Sequence, residues 1–308
     1  MTLLFRTYGI LGCSKNIFFS PASIYSAFSI LLAGTAGETE KEIEKALHVT
    51  HEKDQTKLHK SIAKDLANLT GSTPETKVCM ANKIFLDKGF PIKSAYSSLV
   101  SGCYSATPEG LTFSDSETSR AHINQWVKDK TEQKIGELFP GKSLQNLYAF
   151  SPIIFFLCLP FSLSMFILLP NQENGLPQLL KKLFHVGPTP DGCVNLYLPR
   201  FKIGEDDPSI NLVDYMRKLG VSKIFNHSVA DFSGLTDMRN LFVSSVFHRA
   251  VLEVDEEGAQ AAAATGMSIM PMCLPPPPVD FKVTHPFVIA IADNEGTPLF
   301  LGHVSEPK

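Results

Sequence analysis

The stretch from Val254 to Pro278, VDEEGAQAAAATGMSIMPMCLPPPP, restricts this chain more than any other. Asp255, Glu256 and Glu257 lead into Gly258, a run of small residues from Ala259 to Ala264, then Thr265 and Gly266. Such a run has little of its own to pack. Read at period two, one face carries Ala259, Ala261, Ala263, Thr265, Met267 and Ile269, and the other Gln260, Ala262, Ala264, Gly266 and Ser268. Pro275 to Pro278 then end any helix or central strand, because proline lacks an N–H and fixes φ. The segment is bounded and expected to be exposed. Since alanine is the best helix former, a short exposed helix over 256–264 is the competing assignment from composition alone.

At 308 residues the chain can build a large core. Its 28 basic and 31 acidic residues give a net charge of −3, so nothing suggests a polyanion-binding surface overall. The six cysteines, Cys13, Cys79, Cys103, Cys158, Cys193 and Cys273, have neither metal-ligand nor redox-motif spacing and read as reduced intracellular thiols. The first residues, MTLLFRTYGILGCSKN, contain Arg6 and no sustained apolar core, so no signal peptide is expected and a cytoplasmic location follows. Leaderless export to the extracellular space, or a missing N-terminus, is the alternative. No Gly-x-Ser-x-Gly, phosphate-binding glycine loop or His-Glu-x-x-His is present, so the chain reads as not an enzyme and as needing no cofactor or metal. Nor does any basic stripe interleaved with aromatics point to nucleic acid.

In chain order, Ile17 to Phe19 reads as a short strand and Ser23 to Ala33 as a buried helix, apolar nearly all round. Ser20 and Ser23 suit helix capping and back-bonding. Thr39 with Glu42 has capping-box spacing and predicts a helix over Glu40–Leu47. A helix is expected over His51–Leu69 with Leu58, Ile62, Leu66 and Leu69 inward. Lys53, Lys57, Lys60 and Lys64 make a basic stripe on it, read as a solvated face because Glu52, Asp54 and Asp65 lie close by. Strands are expected over Lys77–Leu86 and Ala106–Phe113, and helices over Pro91–Ser101 and Ser119–Ile135, the last holding the only tryptophan, Trp126. Asn68 and Asn226 lie in glycosylation sequons that mean little without a secretory route.

Ser143 to Gln172 runs thirty residues without a charge, which meets the length criterion for a membrane span. Pro152 and Pro160 cut it into strand-length pieces, Ile153–Leu159 and Phe161–Leu169, and buried strands are the preferred reading over a membrane helix. Beyond it, helices are expected over Gly175–Phe184 and Leu212–Leu219, one strand over Val194–Lys202 with Pro199 at a bulge or edge, and a long strand over Leu241–Glu253. His248 lies in that strand, where a lone histidine ordinarily reads as a satisfied core residue.

Several of these segments resemble one family. VDEEGAQAAAATG looks like the hinge of the reactive-centre loop of the serpins, serine protease inhibitors that act as suicide substrates. Asn16-Ile-Phe-Phe-Ser-Pro-Ala-Ser-Ile24 is similar to the serpin strand-to-helix junction, and Val283-Thr-His-Pro-Phe-Val-Ile-Ala-Ile291 with Pro298-Leu-Phe-Leu-Gly-His-Val304 to its paired C-terminal strands. Ile123-Asn-Gln-Trp-Val127 and Leu138-Phe-Pro140 resemble the helix that lies across the serpin main sheet. The style is that of the leaderless, ovalbumin-like (clade B) members. The resemblance implies an α+β serpin fold in one domain, residues 1–308: a large mixed sheet, smaller sheets, about eight helices and an exposed loop at 258–278.

It further implies a function as serine endopeptidase inhibitor by loop insertion. The hinge would be Glu256, Glu257, Gly258, Ala259, Gln260, Ala261, Ala262, Ala263, Ala264 and Thr265, and the family's spacing puts the reactive bond at Met272–Cys273. An unbranched Met272 fits a hydrophobic primary pocket, so elastase-like or chymotrypsin-like proteases are the expected partners. Ser20, Ser23 and His248 would form a cluster that controls sheet opening. The lysine stripe matches a helix that some members use for sulfated glycans, the minor alternative to the solvated face. A monomer is expected. The pattern breaks after Leu144-Gln145. There the apolar segment 146–162 replaces strands that include a central one of the main sheet, and the N-terminus is also shorter than the family pattern. A non-inhibitory or defective serpin-like protein that proteases merely cut is therefore the alternative function.

Overall fold

The computed structural model describes residues 16–49, 52, 54–69, 79–131, 133–143, 150–158, 164–182, 194–204, 208–239, 241–254, 279–293 and 296–306. Seven α-helices lie among them: α1 (Pro21–Leu32), α2 (Gly37–Leu47), α3 (Gln55–Leu69), α4 (Ser94–Tyr104), α5 (Ser116–Lys130), α6 (Leu176–Lys182) and α7 (Val213–Lys218). The strands are β1 (Ile17–Phe19), β2 (Cys79–Asp87), β3 (Thr107–Leu111), β4 (Phe150–Cys158), β5 (Ser164–Leu168), β6 (Val194–Tyr197), β7 (Phe201–Ile203), β8 (Ile210–Asn211), β9 (Phe247–His248), β10 (Leu252–Val254), β11 (Val279–Lys282), β12 (Phe287–Ala292) and β13 (Pro298–Val304).

Local chemistry accounts for the helix ends. Ser20 caps α1, its Oγ accepting from the Ser23 N–H, and Pro21 opens the first turn where a missing N–H costs nothing. Asp115 caps α5 through the Thr118 N–H, Glu117 lies in the first turn, and Lys128 and Lys130 in the last. The capping box expected at Thr39 and Glu42 does not form: α2 starts earlier, at Gly37, with Ala36 at its cap. Thr39 Oγ1 instead accepts from the Asp231 N–H. The Glu42 carboxylate accepts from the N–H groups of Ser222 and Lys223, each at 2.8 Å, and from Lys223 Nζ at 3.1 Å. Burial alone would raise the Glu42 pKa, but these donors outweigh it and the net shift is downward. Tertiary partners thus claimed both side chains.

The strands form a four-stranded sheet in the order β1-β13-β12-β5, a three-stranded sheet β3-β2-β4, and the pairs β10-β7, β8-β9 and β11-β6. The apolar stretch is strand rather than helix at 150–158 and 164–168. Among the described residues no helix is long and apolar enough to cross a membrane. β4 runs antiparallel to β2, and its register shifts between the Ile84↔Ile153 and Leu86↔Phe150 pairs. Pro152 falls inside that shift, where a bulge absorbs a residue that cannot donate to a ladder. β5 pairs with β12 and is last in its sheet, with Met165 43% and Phe166 39% exposed, so it is less buried than the sequence predicts.

Two expected long strands are each divided. The single strand expected over Val194–Lys202 is two, and Pro199 lies between them: β6 joins β11 in a parallel pair while β7 joins β10 antiparallel. The strand expected over Leu241–Glu253 is regular only as β9 and β10. Burial nonetheless alternates through 247–254, with His248, Ala250 and Leu252 buried and Phe247, Arg249, Val251 and Glu253 on the outer side.

Three apolar clusters follow from this. One surrounds α1, with Phe28, Ile30 and Leu31, and takes in the inward residues Leu58, Ile62 and Leu66 of α3. A second joins Phe201, Ile203, Ala250 and Leu252 to Phe287, Ile289 and Ile291 of the β12 face. The third lies under α5: Ile123 and Val127, with Ile135, Leu138 and Phe139 of the following segment, meet Phe85, Leu111, Phe247 and Val251.

Candidate functional site

The site that the sequence suggests has three parts, and the structure describes one of them. The hinge from Glu256 to Thr265, the bond Met272–Cys273 and the rest of 258–278 lie outside the described residues. So do Lys53 and much of the segment 146–162, apart from β4.

The described part is the cluster at Ser20 and His248. The backbone N–H of Ser20 donates to Nε2 of His248 at 2.9 Å, and Ser20 Oγ donates to the Leu299 carbonyl at 2.8 Å. A backbone N–H can only donate, so Nε2 carries its lone pair and His248 is the neutral imidazole protonated at Nδ1. Complete burial pushes its pKa down to about 4, which keeps it neutral. Ser23 joins through its backbone N–H alone; its Oγ is buried with no hydrogen-bond partner among the described residues. One residue of a helix N-terminus thereby ties α1, β9 and β13 together.

Around this point the sheet is discontinuous. β4 is paired with β2 and β9 with β8, and no ladder joins β4 to β9 among the described residues, although their Cα atoms approach within 8 Å. α1 lies against β4 as well as under β9. A seam thus runs between two neighbouring strands above a buried helix.

Across the outer side lies the segment after α5. Asn124 fixes its turn: Oδ1 accepts from the N–H groups of Leu138 and Phe139, and Nδ2 donates to the Phe139 carbonyl. Arg120 adds hydrogen bonds to Glu137 and to the same carbonyl, and Ser209 Oγ donates to the Leu138 carbonyl at 2.6 Å. Arg249 donates from Nε to the Gly204 carbonyl at 2.9 Å and from Nη1 to the Glu137 carbonyl. Glu253 accepts from Lys202 Nζ at 2.6 Å and Lys134 Nζ at 2.9 Å, and these two hydrogen bonds, Lys202 first, hold its pKa down to about 2. The sequence reading missed Arg249, Glu253, Lys134 and Lys202. Their one signal was the even spacing of 249 and 253 on the outer side of an extended segment.

Of the basic stripe, Lys57, Lys60 and Lys64 are exposed on α3, and Lys57 pairs with Glu52 at 3.1 Å. In the second sequon, Asn226 Oδ1 accepts from the Ser228 N–H in a surface turn. Among the described residues no group of histidine, cysteine and carboxylate side chains could hold a metal ion.

This arrangement, two neighbouring strands with no ladder between them among the described residues, a helix buried beneath them and a helix laid over them, defines an α+β protein with several small sheets around one buried helix. The family model for "Serpin (serine protease inhibitor)" matches residues 3–157 and 151–307, and the chain belongs to that family. It is 31% identical to human Serpin B4 (95% of this chain, 94% of that one) and 33% identical to the leukocyte elastase inhibitor of Sus scrofa (99% and 96%). These relatives are clade B, ovalbumin-like serpins. In fold it is similar to Serpin48 of Tenebrio molitor, with a TM-score of 0.83, 24% identity and coverage of 100% of this chain and 96% of that one. Uncleaved ovalbumin is similar with a TM-score of 0.82, 20% identity and coverage of 100% and 98%.

The alignment with Serpin B4 runs over 370 residues, more than the 308 of this chain, so the relative carries residues that this chain lacks. The family model matches in two pieces that overlap at 151–157.

Proposed function

We propose that this serpin inhibits a serine endopeptidase as a suicide substrate, with Met272 entering the protease's primary pocket. The protease's serine attacks the Met272 carbonyl, the bond to Cys273 breaks, and the amine of Cys273 leaves with a proton. Hinge residues Glu256 to Thr265 then enter the seam between β4 and β9 before the acyl bond is hydrolysed. Fourteen residues from Ala259 to Met272, at about 3.3 Å each, span about 46 Å, enough to carry the protease across the body. The small face of Ala259, Ala261 and Ala263 keeps the required gap narrow.

The observation that carries this reading is the seam itself: two adjacent strands without a ladder between them among the described residues, with Ser20 holding His248 from below. In this reading those residues govern how readily the sheet opens. An elastase-like or chymotrypsin-like target is supported by the unbranched side chain of Met272 and by the similarity to a leukocyte elastase inhibitor. The protein acts as a monomer in the cytoplasm, in keeping with its scattered cysteines, and the lysines of α3 form a solvated face rather than a glycan site.

The internal loss favours one second reading, a non-inhibitory serpin-like protein that proteases only cut. Incubation with elastase and chymotrypsin separates the two. An inhibitor gives an SDS-stable adduct and a nicked form that melts at higher temperature than the intact one. Cleavage near Met272 with no adduct and no rise in Tm removes the inhibitory reading.

A further inference from the structure

We propose that Cys79 and Cys158, which the antiparallel β2–β4 ladder sets directly opposite each other, are a thiol pair that glutathione disulfide closes into a reversible disulfide, tying the end of β4 to β2. The proposal stands apart from the loop-insertion reading and does not depend on it.

The six cysteines are scattered along the chain, and folding brings these two together. Cys79 is the first residue of β2 and Cys158 the last of β4. Six consecutive pairs run without a shift from Cys79↔Cys158 to Ile84↔Ile153, and the bulge lies beyond them, between Ile84 and Leu86. The two faces of β2 fix its side of this register. Ile84 and Leu86 are buried in the cluster around α1, whereas Phe85 is buried on the other face, under α5. A slip of one residue would exchange those faces. Alternation then places Cys79 and Ala81 on the face of Lys83 and Phe85, with Cys158 opposite on that same face. Residues directly opposite in an antiparallel pair have Cα atoms about 4.5–5.5 Å apart, and a disulfide needs about 4.4–6.8 Å. The backbone already meets that requirement.

The position gives the bond a consequence. β3 pairs with β2 only from Lys83 onward, so among the described residues the ribbon of 79–82 with 155–158 is held by its own ladder. A covalent tie at its end closes a loop of about 80 residues and restricts the unfolded chain.

In the reaction, the thiolate of one cysteine attacks glutathione disulfide, forming a mixed disulfide and releasing one glutathione thiolate. The thiolate of the other cysteine attacks the protein sulfur of that mixed disulfide and releases the second glutathione. Two protein thiols give up two electrons and two protons, and glutathione disulfide becomes two glutathione thiols. Reduced glutathione drives the same exchange backwards, which suits the proposed cytoplasmic location, where disulfides are transient.

The test incubates the full chain with oxidised and then with reduced glutathione, alkylates the remaining thiols and digests without reduction. The expected result is a linked species joining Val78–Lys83 to Ser143–Lys181, the tryptic peptides that hold Cys79 and Cys158. It should be lighter than the two free peptides by two hydrogens and disappear in reduced glutathione. The oxidised protein should melt several degrees above the reduced one. Cys79→Ser and Cys158→Ser should each abolish the link and the rise, and Cys103→Ser, on α4, should keep both. The linked species is read on the unsubstituted protein, so the result stands even where a serine variant fails to fold. Absence of the link, glutathione held singly on Cys79 or Cys158, or a link through Cys103 or only between two chains overturns the pair. A link with no rise in Tm overturns its role as a tie.

Discussion

The N–H of Ser20 meets Nε2 of His248 at 2.9 Å, so the N-terminus of a buried helix is fastened to a strand 228 positions away by a bond that only neutral histidine can accept. Protonation of His248 would set two donors against each other inside the core.

Stability should therefore fall in mild acid. His248 has its pKa lowered to about 4 by burial. His59, whose Nδ1 lies 2.6 Å from Tyr104 Oη and whose Nε2 is buried without a partner among the described residues, is lowered to about 4 for the same reason. Unfolded histidine binds a proton below about 6.5, so between pH 6.5 and 4 the unfolded chain holds more protons than the folded one. Each histidine then costs about 1.4 kcal/mol per pH unit as pH falls through that window, and nothing further below it. Urea midpoints across that range measure this, and His59→Phe should flatten the slope by up to half.

Ser20→Ala and Ser23→Ala should act in opposite directions. Ser20 Oγ bonds the Leu299 carbonyl and caps α1, so its loss should cost about 1–3 kcal/mol. Ser23 Oγ is buried without a partner among the described residues, and Ser23→Ala should be neutral or stabilising by up to about 1 kcal/mol. Chemical denaturation of the two variants decides between these outcomes and equal losses.

Gly204→Ala should destabilise by about 2 kcal/mol or more. Its φ is +84°, and an added Cβ would strike the Ala250 carbonyl across the β7–β10 pair. Gly220, at φ +92° with open space around it, is the control: Gly220→Ala bears the backbone strain alone and should lose less.

Asn124→Ala should cost about 2–4 kcal/mol, because it strands the Leu138 and Phe139 N–H groups in an apolar cluster. Asn124→Asp keeps the acceptor for both and should retain more of that stability. Thermal melts of the pair measure the difference.

If the loop enters the seam with its alanine face inward, Ala261→Arg should convert inhibition into cleavage while leaving the melt of the intact protein within about 0.5 kcal/mol of the original. Adduct yield on denaturing gels, at equal total cleavage, is the measurement. Equal adduct from both proteins would count against burial of that face.

What the sequence made legible followed from short-range chemistry. The cap at Ser20, the amphipathic α3 and α5, and the strand β13 are each written in a few adjacent residues, and the family motifs are ordered along the chain. Thr39 and Glu42 misled because their partners, Asp231 and the turn at Ser222–Lys223, lie some 180 to 190 residues away and outcompete the local cap. Glu253 and Lys202 carried no local signal, since an ion pair across two strands has no fixed spacing. Pro152 was expected to bound the strand Ile153–Leu159, yet β4 runs through it from Phe150. A bulge accommodates it, and bulges are properties of a pair rather than of one strand.

That bulge also bears on how a strand could grow along β4. In the loop-insertion reading, with the Pro152 nitrogen turned to the seam, a peptide zipping up beside β4 would run on a track with one tooth missing. A single absent donor costs about 1 kcal/mol, little against the many rungs of a complete ladder. The fastening should hesitate at that step and then run through it, so any pause in insertion belongs part-way along the strand and not at its end.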